Sequence, residues 1–98
     1  MSFRERLRNK FVRVAIVFGD YLEQTGQLQM AAEHYQKVVE IDDLVEEFYQ
    51  RLMVCCHHLG QKAEAVKVYN RCRTMLSTAL GITPSPNTET IYNDLVRK

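Results

Sequence analysis

Two glycines set the terms for this chain. Gly26 and Gly60 stand 34 residues apart, and their surroundings match at the same offset. Phe18 pairs with Leu52, Leu22 with Cys56, Ala31 with Ala65, Tyr35 with Tyr69 and Val38 with Cys72. Each glycine separates two amphipathic stretches, where a left-handed backbone lets one helix stop and the next turn back beside it. The matched alanines let paired helices approach closely, and the aromatic residues fill the gap between neighbouring hairpins. No stretch carries the period of two that a strand requires, so the pattern is all helical.

The spacing predicts five helices. Arg4 to Thr25 is the first, with Leu7, Phe11, Val14, Phe18 and Leu22 expected inward and Arg4, Arg6, Arg8, Lys10 and Arg13 on the other sides. Gln27 to Ile41 is the second, turned inward through Leu28, Ala31, Tyr35 and Val38. Asp42 and Asp43 are expected to cap the third helix, Leu44 to Leu59, whose inner residues are Leu44, Phe48, Leu52, Cys55, Cys56 and Leu59. Glu46 and Glu47 suit the positive end of its dipole. Gln61 to Leu80 is the fourth, with Ala65, Tyr69, Cys72, Leu76 and Ala79 or Leu80 inward, closed by Gly81. Ser85 with Pro86 then reads as the cap and first turn of a last helix, to about Arg97, that buries Ile91 and Leu95.

Composition narrows the function classes. An apolar content of 46% in 98 residues is enough for one core. A formal net charge of +1 supplies no bulk field toward nucleic acid or a membrane. No apolar run approaches the roughly 20 residues of a spanning helix, and the opening SFRERLRNK lacks the apolar segment of a secretory signal. Three cysteines do not make a disulfide framework. A reduced, cytoplasmic protein is expected.

Chemistry-bearing clusters are few. Cys55, Cys56, His57 and His58 look like zinc ligands, but consecutive helical residues fan out by about 100° and cannot converge on one ion. Buried thiols acting as small hydrophobes are the better account, and His57 is not placed to serve a cysteine nucleophile. No carboxylate pair, triad or phosphate loop is present, so neither enzymatic activity nor a cofactor or metal is expected. The basic face of the first helix lacks aromatic interleaving for nucleic acid and suits docking on an acidic surface. Helix phase places Arg13, Ile16, Asp20, Gln50, Arg51 and His58 on a candidate partner-binding surface, with Tyr49 and Tyr92 in or near the core.

The 34-residue period resembles the tetratricopeptide repeat. In AIVFGDYLEQTGQLQMAAEHYQKVVEID, Gly19, Gly26, Ala31 and Tyr35 fall where that family puts glycine, glycine, alanine and an aromatic residue. Asp43 replaces the usual closing proline, and Met53 occupies the small-residue position of the second repeat. The expected fold is an all-α, tetratricopeptide-like right-handed stack of two helical hairpins plus a C-terminal helix. It forms one domain over 1–98, with repeats at about 12–45 and 46–80 and a capping helix at about 86–97.

A second resemblance is more specific. Asp42-Asp43-Leu44, Glu46-Glu47, Arg51-Leu52-Met53, Leu59-Gly60, Glu64-Ala65, Val68-Tyr69, Arg71, Arg73, Leu76, Leu80-Gly81, Pro84 through Glu89 and Ile91-Tyr92 are similar to the bacterial transcriptional activator domain. The Leu-Gly-x-x-Pro-Ser corner is absent from ordinary tetratricopeptide repeats. The resemblance implies a regulatory domain behind a winged-helix DNA-binding domain, so that DNA is reached only through a domain absent from this chain. Its implied partners are proteins: a second copy in a homodimer, other domains of the same regulator, or the transcription machinery. The alternative is a stand-alone tetratricopeptide adaptor for a peptide segment. A carboxylate clamp of the kind some adaptors use is not expected, because Ile16 and Asp20 occupy its first-repeat positions.

Overall fold

The computed structural model describes residues 2–97, and these form five α-helices with no strand among them. They are α1 (Phe3–Gln24), α2 (Leu28–Ile41), α3 (Glu46–His58), α4 (Lys62–Leu80) and α5 (Pro86–Arg97). The first four make two hairpins. Stacking joins α2 to α3, and α5 closes over α3 and α4. No helix among the described residues is long and apolar enough to cross a membrane.

The two hairpin turns are the same structure repeated. Gly26 and Gly60 have φ of 76° and 74°. In the first turn the Gly26 and Gln27 amides donate to the carbonyls of Glu23 and Leu22; in the second, Gly60 and Gln61 donate to His57 and Cys56. This Schellman pairing satisfies carbonyls that a helix end leaves open. Ser2 caps α1 by accepting the Glu5 amide at 3.2 Å, and Ser85 accepts the Thr88 amide at 3.4 Å at the start of α5.

The core runs through both hairpins, with Tyr35, Phe48, Tyr49, Met53 and Leu76 fully buried. On α1 the expected inner face holds at Leu22 and in part at Phe11, and is otherwise corrected. Ala15, Gly19 and Leu22 are buried against α2, whereas Leu7, Val14 and Phe18 are exposed. The helix carries apolar residues on two faces, and close packing selects the smaller set. Leu80 and Ala79 are also exposed rather than inward. The third helix begins at Glu46, not Leu44, and Val45, at its N-cap position, makes no side-chain cap. Asp42 instead accepts Arg8 from α1 at 2.8 Å and the Leu44 amide at 3.4 Å.

Gly19 explains the close packing of α1 on α2. A Cβ there would collide with the ring and hydroxyl of Tyr35. At the matched position of the second repeat, Met53 fills the space, and Tyr69 lies instead against Tyr92 of α5, with ring centroids 3.7 Å apart. Gly19→Ala therefore sets two effects against each other. Removing a mid-helix glycine gains about 0.5–1 kcal/mol, and overpacking a core costs about 1–3 kcal/mol. The clash involves a buried aromatic ring, so overpacking should win. A net loss of about 1–2 kcal/mol is expected in urea unfolding, while the same change at exposed, left-handed Gly26 should cost stability without shifting the assigned NMR resonances of the Tyr35 ring.

Candidate functional site

Three features on this scaffold could serve an interaction. The first is apolar. Of the ten large hydrophobic side chains exposed to solvent among the described residues, six lie on α1 (Phe3, Leu7, Val14, Val17, Phe18, Tyr21) and two on α2 (Met30, Ile41). Val14, Val17, Phe18 and Tyr21 recur at three- and four-residue intervals, so they share one helix face. They line a wholly apolar shallow depression beside Arg13. It continues into a groove between α1 and α2 bounded by Phe11, His34, Val38 and Ile41. His34 is fixed there: its Nε2–H donates to the Ala15 carbonyl at 2.8 Å, and its ring meets Phe18 edge-on at 5.0 Å.

The second feature is polar. Arg51 on α3 donates to Asp20 at 2.5 Å and Glu23 at 3.4 Å on α1, and to Glu47 on its own helix at 2.9 Å. It also reaches the Tyr35 hydroxyl at 3.1 Å, which donates in turn to Glu23 at 2.5 Å. Burial works against the guanidinium charge, but the bonds to Asp20, Tyr35 and Glu47 outweigh it and hold Arg51 firmly protonated. Burial, with Glu23 beside it, likewise pushes the Tyr35 hydroxyl far above its ordinary range. The cluster joins α1, α2 and α3.

The third feature closes the other end of the stack. Thr88 of α5 is completely buried and donates to Glu46 at 2.5 Å. Gln50 donates to Thr88 at 2.7 Å, and the Ser85 amide donates to Glu46 at 3.0 Å. Burial pushes the Glu46 carboxyl up, yet the bonds from Thr88 and Ser85 prevail and leave it below its ordinary value. Tyr69 adds a bond to Glu89 at 2.6 Å, which together with burial raises its hydroxyl to about 12.

These contacts distribute the six residues singled out by helix phase. Asp20 and Arg51 come together, but in a mutual ion pair. Gln50 is engaged by Thr88 and Asn87 at the α5 junction. Ile16 packs against the core, Arg13 lies beside the apolar depression, and His58 is exposed at the end of α3. The stripe from Val14 to Tyr21 was missed because Val14 and Phe18 were assigned to the core, while Val17 and Tyr21 were given no place. Cys55, Cys56 and Cys72 are buried and free. Burial raises the Cys55 and Cys72 thiols to about 12, opposite to the shift a nucleophile needs.

The paired Ser85 and Thr88, the Leu80-Gly81 corner and the repeated hairpins lie along the match to one family model, the bacterial transcriptional activator domain, which covers residues 1–96. The chain belongs to that family. No curated protein matches it in sequence. As a helical domain of this family, it serves protein–protein interaction within regulatory proteins.

The α5 clamp gives this activator domain an acid-sensitive joint. Glu46 has a lowered value in the folded chain, so its contribution is present above the ordinary 4.5 and is lost as pH falls through the folded value. Thr88→Val removes a buried donor and should cost about 1–3 kcal/mol near neutral pH. Urea unfolding at a series of pH values should show the gap between variant and wild type narrowing as acid protonates Glu46. A gap independent of pH would place the loss elsewhere than in this bond.

Proposed function

We propose that this activator domain couples a DNA-binding domain of the same cytoplasmic regulator to its output through protein contacts alone. Those contacts are self-association, an effector domain, or RNA polymerase. The domain performs no chemistry of its own and meets DNA only through the other domain. One observation carries this reading: α5 seals one end of the stack, whereas the α1 face at the other end leaves Val14, Val17, Phe18 and Tyr21 in solvent. A contiguous exposed apolar face on a helical stack is the ordinary mark of a protein-binding surface.

The engagement of Arg51 favours this reading over a peptide adaptor. Its guanidinium is held by three carboxylates, Asp20, Glu23 and Glu47, and offers no free cation to a peptide terminus. The test is a reporter assay in cells carrying the complete regulator. Val17→Asp charges the centre of the face and, because Val17 is exposed, should leave thermal stability within about 0.5 kcal/mol of wild type. Transcriptional output should fall at least about tenfold, equivalent to about 1.4 kcal/mol of lost association, with promoter occupancy by the DNA-binding domain retained. Unchanged output would overturn the assignment of function to this face.

A further inference from the structure

The exposed face of α1 has a covered counterpart in the same molecule. Moved along by 34 residues, Val14, Phe18 and Tyr21 become Phe48, Leu52 and Cys55. On α3 these are 0%, 3% and 0% exposed; on α1 they are 59%, 47% and 56% exposed. The preceding hairpin covers the α3 set. The Tyr35 ring lies 6.4 Å from Phe48, Ala32 and Leu52 line one groove, and Glu23 lies close enough to Cys55 to raise its thiol pKa. The α3 face is thus filled by the preceding hairpin, chiefly by its second helix, and on α1 the matched place is open.

Two further observations describe the occupant. Leu7, Phe11, Val14, Phe18 and Tyr21 follow alternating steps of four and three, the seam against which another helix packs. Arg6, Lys10 and Arg13 run along one edge of that seam with the same spacing, and none forms an ion pair among the described residues. Arg8, by contrast, is taken by Asp42. The edge is basic and the seam apolar.

We propose that this face binds an amphipathic α-helix placed as α2 is placed on α3. Its buried side carries small residues and an aromatic ring, and its flank is acidic to meet Arg6, Lys10 and Arg13. This rests on the α1 face being the domain's interaction surface and specifies what that surface takes. A second copy of the chain fits less well. Its α1 would bring the same basic edge, and the acids of its later turns, Asp20 and Glu23, are held by Arg51.

The probe is a stapled helical peptide of residues 27–43, the chain's own α2 with Glu33, Glu40, Asp42 and Asp43, titrated into the intact isotope-labelled protein. Amide shifts should concentrate between Leu7 and Tyr21. A peptide with those four acids changed to lysine should bind at least about tenfold more weakly, and so should the native peptide to Val17→Asp or to Lys10→Glu/Arg13→Glu protein. Equal binding of the acidic and lysine peptides, or shifts away from α1, would overturn the acidic helix. So would a protein that sedimented as a dimer and became monomeric as Val17→Asp, since a second copy would then occupy the face. Those results leave the interaction reading standing, because the reporter assay decides it separately.

Discussion

The approach of α1 to α2 depends on one backbone position. Gly19 leaves room for the Tyr35 ring, and Tyr35 can then lie deep enough for its hydroxyl to meet Glu23 and Arg51. From that contact the first hairpin acquires its spacing and the second its docking point, since Arg51 belongs to α3. A larger residue at position 19 would move the ring, and with it the hydrogen bonds that satisfy three helices at once. The second repeat shows how such a change is accommodated. With Met53 in the matched place, Tyr69 turns to Tyr92 and Glu89, and the aromatic residue that binds one hairpin together now binds the capping helix.

Three polar contacts that involve a charged group join separate elements. Arg8 ties α1 to the turn after α2, Arg51 ties α1 to α3, and Glu46 ties α3 to α5. All three connections link elements distant in sequence, where hydrophobic packing alone leaves rotation about the contact less constrained. The two ion pairs are partly exposed, so their energetic worth is modest, but their geometry is directional. Repeat stacks owe their shape to such small, regular relations between neighbours.

The sequence revealed the features that depend on local rules. Glycines at 26 and 60 announce left-handed helix ends, Ser85-Pro86 announces a helix start, and Ala31 and Tyr35 announce the close face of α2. It was less informative where two solutions share one pattern. On α1, the large residues Leu7, Val14 and Phe18 make the stronger periodic signal, yet Ala15 and Gly19 join Leu22 against the partner because small residues permit contact. Long-range polar pairing was hidden for another reason. Nothing around Thr88 indicates that a carboxylate 42 residues earlier accepts its hydroxyl, and nothing around Arg51 indicates that two of its three acids, Asp20 and Glu23, lie on the first helix. The proposed surface consequently shifted from the polar phase positions to the hydrophobic face beside them.

The length of α1 has a mechanical meaning. Its 22 residues form a rod of about 33 Å at 1.5 Å per residue. Residues 3–10 lie exposed before the helix reaches its seat against α2, with the Arg8–Asp42 pair bracing that part. A continuous helix has no joint along which to bend easily, so whatever grips the projecting turns also sets the heading of the entire stack. Binding at the tip would thus convey orientation as well as proximity, as a handle aims the object to which it is fixed.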